Sequence, residues 1–303
     1  MSLLSIVVVT FNSKELLRSL LLSIKADPSL TPLLSEIVVV DNGSEDSTEE
    51  MVRGEFAECL LLKEKKNTGF ARAANRGARC AKGKYVLFLN SDTLLVPGEV
   101  KRMVDLMEKE ASIAILAPGL LSPNGKAQRS YALTPSLFFE FVPRGLFEKK
   151  QLETLCDVPS VIGAAMLVRR EVFEELSGFD EGFFFFLEET DLCVRARKRG
   201  YRVVCYPLCH VVHAQGSTVR KKWVEGRIEY NISLYRFIRK YHGLPYFLLF
   251  LALRFLKAAA FVIFLSPFLF FLHGRSRASF LYHARLLIWH LRGRPRQWGL
   301  RPR

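Results

Sequence analysis

The first 120 residues alternate between short apolar runs and longer stretches whose apolar positions repeat with helical spacing. The short runs cannot form capped helices and are typical of strands that are buried on both faces. They lie at residues 5–10, 36–40, 59–62, 85–89 and 113–117. Amphipathic stretches follow four of them, at residues 16–24, from residue 47, at 69–81 and at 97–108. This alternation predicts an α/β fold with a mostly parallel central sheet.

The second part of the chain is less regular. Residues 120–160 show no clear period, and we expect loops and short strands there. The pattern then predicts a strand at residues 161–169, a helix at 171–176, a charged helix at 188–198 and a strand at 202–206. An apolar, basic tail follows residue 230.

Polar residues stand just beyond the ends of the predicted strands. Thr10, Asp41, Asn67 and Asp92 all occupy such positions. Ligands of open α/β sheets bind in the crevice outside the carboxyl ends of the strands. We therefore predict that these four side chains converge on one crevice.

Two short motifs in this set have both a structural and a chemical interpretation. The turn from Asp41 to Ser44 can simply be a capped strand-to-helix turn, or its carboxylate can accept a hydrogen bond from a nucleotide base. The motif Asn90-Ser91-Asp92 can cap the next helix, or Asp92 can hold a divalent metal against a diphosphate. Taken singly, each motif is more typical of a turn.

A cluster of carboxylates, Glu188-Glu189-Thr190-Asp191, follows four consecutive phenylalanines. Acidic residues in the first turn of a helix are favoured by its dipole, which is the structural interpretation. Close carboxylates beside an aromatic run also have raised pKa values, as a general base requires. Downstream, His213 and His210 are competing candidates for a functional histidine, although a single histidine more often has only a structural role.

Seven segments carry a family resemblance through their order and spacing: SIVVVTFN, EIVVVDNGSEDST, NTGFARAANRGA, YVLFLNSDT, IGAAMLVRREVF, GFDEGFFFFLEETDLCVRARKRGY and HAQGS. Together they resemble the family 2 glycosyltransferases of the GT-A fold, and especially their bacterial rhamnosyltransferase-like branch. The resemblance runs from about Ser5 to His242. It implies a GT-A catalytic domain over residues 1–242 and a nucleotide-sugar donor. Residues 120–160 would then help to shape an acceptor site.

The resemblance implies roles on the nucleotide side of the crevice. Thr10 and Asp41 would line the base and ribose pocket, and Asn67 and Arg72 would lie near the nucleotide. The donor could carry any of several bases and sugars, and dTDP-rhamnose follows from the resemblance alone.

The resemblance also implies the catalytic groups. Asp92 would hold Mn²⁺ or Mg²⁺ on the diphosphate, and His213 would supply a further ligand because the motif has a single carboxylate. A histidine ligand favours Mn²⁺. Glu189 would act as the general base for direct displacement with inversion, and Glu188 remains its rival.

Charge is distributed unevenly along the chain. Residues 230–303 hold 13 of the 44 basic residues and no acidic ones, which leaves 31 basic against 30 acidic residues in the rest. A basic and apolar tail suits an anionic membrane surface, so we predict no nucleic-acid partner. We predict a separate tail, residues 243–303, that binds the membrane surface through residues 244–272 and their basic flanks.

The sequence of the tail is consistent with more than one conformation. Arg254, Lys257 and Pro267 interrupt the apolar stretch, which favours a helical hairpin or an interfacial helix over a single span. The structural alternative is a helical cap on the catalytic domain or a dimer surface. Six cysteines without C-x-x-C spacing and the lack of a secretory signal predict a cytoplasmic protein, associated with the cytoplasmic face of the membrane.

We therefore expect an enzyme that moves a sugar to a hydroxyl of a lipid-linked or cell-envelope glycan. One alternative is a catalytically inactive nucleotide-sugar-binding or scaffold protein, against which the retained Asp92, Glu189 and His213 argue. A nucleotidyltransferase is another alternative. The first predicted strand is not followed by a glycine-rich, basic loop for a triphosphate, which argues against it.

Overall fold

The computed structural model describes residues 3–142, 152–214, 223–271 and 273–301. Its first part alternates strands and helices as the apolar runs predict. The elements are β1 (Leu4–Thr10), α1 (Lys14–Lys25), β2 (Leu34–Asp41), α2 (Thr48–Glu55), β3 (Leu60–Lys63), α3 (Phe70–Ala78), β4 (Tyr85–Asn90), β5 (Thr93–Leu95), α4 (Glu99–Lys109) and β6 (Ile113–Leu121).

The second part contains short strands and four longer elements before the tail. They are β7 (Ala127–Gln128), β8 (Tyr131–Ala132), α5 (Phe138–Phe141), β9 (Cys156–Asp157), β10 (Ser160–Val161), β11 (Ala165–Arg169), α6 (Arg170–Glu175), α7 (Glu188–Lys198) and β12 (Arg202–His213). The tail is described as α8 (Trp223–Leu265) and α9 (Gly274–Leu291), joined by a 3-10 segment, Ser266–Phe271, and followed by a short 3-10 turn, Arg296–Trp298.

A ten-stranded sheet organises the fold, with its main path in the order β3-β2-β1-β4-β11-β6-β12-β5. β1 is parallel to β2 and β4, β2 to β3, and β6 to β12. β11 lies antiparallel between β4 and β6. The prediction of an α/β fold with a mostly parallel sheet is confirmed. The direction of β11 could not be predicted, because a strand buried on both faces shows the same apolar run in either direction.

Two features near the end of the sheet differ from the sequence-based expectation. β12 continues past its expected end at Tyr206 because its pairing with β6 resumes after a register shift between Tyr206 and His210. β5 was not predicted, and it pairs with the end of β12 so that Thr93 lies opposite His213. This pairing places His213 beside the Asn90–Asp92 loop.

Helices cover both faces of the sheet. On one face, Ile6 and Val39 share a buried cluster with Leu20 of α1. On the other face, Val7 and Val40 share a cluster with alanines of α3. Gly77 permits this second contact, since a Cβ there would lie 2.6 Å from Val7 Cγ1. The packing fixes α3, and with it the loop before it, close to the strand ends.

Helix α8 folds back on itself at Gly243, whose φ is 78°. Arg254 hydrogen-bonds to Asn231, although residues 23 positions apart in a straight helix would be separated by roughly 34 Å. α9 packs against both segments, with Tyr282 Oη 3.0 Å from Asn231 Nδ2. The C-terminal part of the described chain is therefore a helical bundle, which consists of residues 223–242, residues 244–265 and α9.

The bundle packs directly on the sheet domain. Phe183 and Leu187, which precede α7, share a buried cluster with Ile228, Phe250 and Trp289 of the bundle. This cluster crosses the boundary that the sequence suggested at residue 242. The division into domains 1–242 and 243–303 stays a prediction.

Candidate active site

Thr10 and Asp41 lie side by side at the carboxyl ends of β1 and β2, where they are register partners. Asp41 is 1% exposed. Its Oδ1 accepts a hydrogen bond from Ser44 N at 2.9 Å, whereas its Oδ2 is buried without a hydrogen-bond partner in the described part of the chain. A buried carboxylate oxygen without a partner is costly. Asp41 Oδ2 is thus an unused hydrogen-bond acceptor among the described residues at the carboxyl ends of the strands.

Asn42, which the sequence analysis did not single out, joins the two loops on this side. Its Nδ2 donates to Asn67 Oδ1 at 3.1 Å and to Gly69 O at 3.2 Å. Its Oδ1 accepts from the backbone N and the hydroxyl of Thr68, at 2.9 and 3.0 Å. These bonds hold Asn67 beside the Asp41 turn. The sequence gives no signal of this role, because Asn-Gly is an ordinary turn pair.

Hydroxyl groups connect this edge to the Asn90–Asp92 loop. Ser13 Oγ lies 3.1 Å from Thr10 Oγ1 and 3.0 Å from Ser91 Oγ. The ends of β1, β2 and β4 therefore meet at one edge, where the predicted residues Thr10, Asp41 and Asp92 are gathered.

Asp92 and His213 form a close pair at this edge. His213 Nε2 lies 3.4 Å from Asp92 Oδ1, and each side chain is 11% exposed. Ala214 N donates to Asp92 O at 2.9 Å, which fixes the two segments together. His213 Nδ1 is buried without a hydrogen-bond partner among the described residues. His210 instead pairs with Gly119 along β6 and lines a small cavity behind the strand.

The Asp92–His213 pair fits a shared divalent ion. Two donor atoms that each lie about 2.1 Å from one ion are roughly 3.0–3.4 Å apart at octahedral to tetrahedral angles. Among the described residues no group of three or more His, Cys, Asp or Glu could hold a metal. An ion at this pair would therefore need ligands from water or from a bound diphosphate.

A strained turn precedes the acid pair Glu188 and Glu189 at the start of α7. Phe186 and Leu187 have left-handed backbone conformations, with φ of 72° and 67°. Such conformations cost about 1–3 kcal/mol for residues of this kind and are concentrated at functional sites. The packing of Leu187 in the bundle cluster helps to hold the turn. The acid pair is thus placed by tertiary contacts rather than by local preference.

Burial raises the pKa of both carboxyls of the acid pair. Burial raises the pKa of Glu189 to about 7, against the opposite effect of backbone hydrogen bonds. Burial and the charges of Glu189 and Glu229 raise the pKa of Glu188 well above its ordinary range. The Oε2 atom of each residue is buried without a hydrogen-bond partner in the described chain. Glu189 is half-buried and Glu188 is buried, so Glu189 is the more accessible base.

Backbone contacts join the acid pair to the other loops. Asn90 N donates to Ala164 O at 2.9 Å, and a Cβ on the neighbouring Gly163 would lie 3.4 Å from Glu189 Cβ. Phe70 N, at the start of α3, donates to Phe184 O at 2.7 Å. The Asp92 loop and the Asn67 loop therefore both reach the segment that carries Glu189.

Asp191 has a different environment from the acid pair. It is fully buried. Its carboxylate accepts hydrogen bonds from Arg195 Nε at 2.7 Å, from Tyr241 Oη at 2.8 Å and from Lys240 Nζ. These contacts tie α7 to residues 223–242 of the bundle. Asp191 is therefore a structural residue.

Arg72 is not brought to the other predicted residues by any contact in the described part of the chain. Its side chain is 64% exposed, and its Nε lies 4.0 Å from Glu181. Its proposed place near the nucleotide stays a prediction. Residues 215–217, the end of the HAQGS motif, lie outside the described residues.

Comparisons with known proteins decide the family. The family described as glycosyl transferase family 2 matches residues 5–177, which is more than half of the chain. The chain belongs to glycosyl transferase family 2. This family 2 glycosyltransferase is 26% identical over 231 residues to N-acetylglucosaminyl-diphospho-decaprenol L-rhamnosyltransferase of Mycobacterium tuberculosis, covering 68% of this chain and 75% of that protein.

A second relative and a solved structure extend the comparison. The low-salt glycan biosynthesis hexosyltransferase Agl10 of Haloferax volcanii is 23% identical, over 70% of this chain and 67% of that protein. The structure of the mannosyltransferase PcManGT from Pyrobaculum calidifontis, in complex with GDP-Man and Mn²⁺, has a TM-score of 0.58 at 19% identity, and the match covers 97% of this chain and 87% of that one. The predictions of a GT-A fold, of the rhamnosyltransferase-like family and of a glycosyltransferase are confirmed.

Proposed function

We propose that this glycosyltransferase moves a sugar, with inversion, from a nucleoside-diphosphate sugar to a hydroxyl of a lipid-linked or cell-envelope glycan acceptor. The observation that carries the proposal is Glu189, whose buried carboxyl has a pKa raised to about 7 and which packs against Gly163, next to the backbone bond between Asn90 and Ala164. A base that titrates near neutral pH combines a useful deprotonated fraction with a strong driving force for proton transfer. Direct displacement needs such a base and no covalent intermediate.

In this proposal each residue of the crevice has a separate role. Glu189 takes the proton of the acceptor hydroxyl, and buried Asp41 accepts an N–H of the base. Asp92 and His213 hold Mn²⁺ or Mg²⁺, for which their 3.4 Å separation is suitable. The bound ion would offset negative charge on the departing diphosphate. The neighbour crystallised with GDP-Man and Mn²⁺ supports divalent metal use in this fold.

A donor screen tests the proposal. The protein is incubated with UDP-, dTDP- and GDP-sugars, Mn²⁺ and a lipid-linked glycan acceptor, and released nucleoside diphosphate is measured. We expect release with one class of donor, and release that depends on the acceptor. Tight binding of a nucleotide sugar without any release would instead support an inactive binding or scaffold protein.

The lipid-linked acceptor and the membrane surface belong to the same proposal. One relative acts, by its name, on a diphospho-decaprenol-linked acceptor. In the described part of the chain the helical stretch Trp223–Phe268, which turns back at Gly243, is long and apolar enough to cross a bilayer by length and composition, and the apolar window that qualifies it is 11% buried. Ser233 Oγ donates to Phe185 O at 2.8 Å, so the bundle adjoins the segment that leads to the acid pair. A bundle resting on the cytoplasmic face would bring a membrane lipid near Glu189.

Vesicle binding tests the membrane surface. Phe264 is 74% exposed on the bundle, and Leu22 of α1 is 53% exposed on the sheet domain. We expect Phe264→Asp to weaken co-flotation with vesicles that contain anionic lipid, and Leu22→Asp to leave it unchanged. Equal effects of the two substitutions would remove the bundle from the membrane contact.

A further inference from the structure

The end of the chain returns to the catalytic segment. Residues 295–301, called the C-terminal strap here, are anchored to α9 by Trp289 Nε1, which donates to Pro295 O at 2.9 Å. The strap then passes over Glu229 of α8. Leu300 N donates to Glu229 Oε2 at 3.2 Å, and a Cβ on Gly299 would lie 2.0 Å from that oxygen, so a side chain at position 299 would displace the Glu229 carboxylate.

Glu229 and Arg301 form an ion pair under the strap. Arg301 Nε lies 3.6 Å from Glu229 Oε1, and the glutamate side chain is fully buried. Neither atom has a hydrogen-bond partner among the described residues. The guanidinium also lies 5.1 Å from the centre of the Phe184 ring. An ionised carboxylate that is buried needs a cationic partner of this kind. Glu229 can therefore be ionised only while the strap places Arg301 beside it.

Packing links the ion pair to the segment that carries the acid pair. Leu187 and Ile228, the sequence neighbours of Glu188 and Glu229, belong to one buried cluster. The ring of Phe184 would meet a Cβ on Gly69 at 2.7 Å, so the residue under Arg301 also packs on the donor-side loop. The strap is thus in contact, through one aromatic residue, with both sides of the crevice.

We propose that the C-terminal strap is part of the active site, and that Glu229 and Arg301 are positioning residues for the acid pair. The proposal rests on the proposed transferase function. The pair places one negative and one positive charge behind the carboxyls, and the charge of Glu229 contributes to the raised pKa of Glu188. The charged groups that act on Glu229 are Arg301 and Arg296 of the strap, and the charged group that faces it from α7 is Glu188.

Loss of either member of the pair removes the same negative charge, which makes the proposal testable. Glu229→Gln removes this charge directly, so the acid limb of the pH–rate profile moves to lower pH. Arg301→Gln leaves Glu229 buried without its cationic partner, so Glu229 takes up a proton and the limb moves in the same direction. A shift of about half a pH unit, or a roughly three-fold change in rate on the limb, is expected for a single charge at this range. In the double variant the shift is no larger than in Glu229→Gln.

A matched ion pair provides the control. Arg285 Nη2 lies 3.6 Å from Glu225 Oε1 and joins α9 to the same helix, α8, that carries Glu229, and both side chains of this pair are partly exposed. Glu225→Gln and Arg285→Gln should leave the pH–rate profile unchanged. Thermal unfolding of every variant separates a loss of folding from a change in the site. Variants of the Glu229–Arg301 pair that lose stability but keep the wild-type profile would overturn the proposal.

A second measurement does not depend on turnover. Carboxyl ¹³C resonances of glutamate-labelled protein are titrated, with the Glu188 signal assigned from its absence in Glu188→Gln. We expect Glu229→Gln and Arg301→Gln both to lower the midpoint of that signal, because each removes the negative charge of Glu229. A wild type without transferase activity would refute the proposed function, whereas unmoved midpoints would refute the role of the strap.

Discussion

Replacing Glu189 by glutamine is the most informative perturbation of this site. Glutamine keeps the shape of the side chain and cannot accept a proton. Since removal of a positioned general base typically costs 10²–10⁴-fold, we expect turnover to fall by about 10²-fold or more with donor affinity unchanged. The wild-type rate should also fall below about pH 7, where the Glu189 carboxyl becomes protonated. The variant should lack this acid limb.

The same substitution should stabilise the protein. The pKa of Glu189 rises from 4.5 to about 7 in the folded state, with burial as the largest cause. The folded state therefore binds the proton more tightly, and the free energy of unfolding falls as pH rises through this window. At about 1.4 kcal/mol per pH unit, the ionised carboxyl costs the folded protein about 3 kcal/mol above pH 7. Glutamine cannot ionise, so the variant gains up to that amount at pH 8 and little at pH 4.

Urea unfolding at pH 4 and pH 8 measures the stability difference, and steady-state rates between pH 5 and pH 9 measure the loss of the base. Glu188→Gln is the matched control, because its carboxyl is also buried but is less accessible. Normal turnover in Glu189→Gln with an inactive Glu188→Gln would move the base by one residue. A Glu189→Gln protein that gains no stability at pH 8 would show that burial does not destabilise the ionised carboxyl.

Two further predictions concern the proposed metal pair, Asp92 and His213, and the buried residue Asp191. Asp92→Ala and His213→Ala should each weaken Mn²⁺-dependent binding of the donor nucleotide by about ten-fold or more, as measured by calorimetry. The control variant His210→Ala should bind the donor nucleotide normally. Normal binding by His213→Ala would remove His213 from the proposed metal site. Asp191→Asn should lower the free energy of unfolding by about 3 kcal/mol with donor affinity unchanged, because it removes the charge of a fully buried carboxylate that pairs with Arg195. Chemical denaturation that shows wild-type stability would contradict this role.

The meeting of three strand ends at one edge of the sheet could be predicted because two rules act together. Period and length locate β1, β2 and β4, and parallel strands bring their carboxyl ends to one edge. Thr10, Asp41 and Asp92 follow from these rules alone. Asn42 was missed because its role depends on four hydrogen bonds to a loop that is distant in sequence.

The acid side depends on interactions that no local pattern contains. Phe186 and Leu187 adopt left-handed conformations that their residue types disfavour. The clusters beneath them come partly from α8 and α9, more than 40 residues later in the chain. His213 reaches Asp92 because β12 resumes pairing after a register shift, and such a shift interrupts the alternation that marks a strand.

The charge of the tail also has a different meaning in the folded chain. Composition assigns all 13 basic residues of 230–303 to an anionic surface. Among the described residues, at least four of them pair with carboxylates of the protein: Arg236 with Asp180, Lys240 with Asp191, Arg285 with Glu225, and Arg301 with Glu229. The charge available to a membrane is therefore smaller than the sequence indicates, and in the proposed membrane contact apolar residues of 244–265 would carry more of the binding. Co-flotation with anionic vesicles should accordingly persist in high salt, whereas complete release would return the main role to the basic flanks.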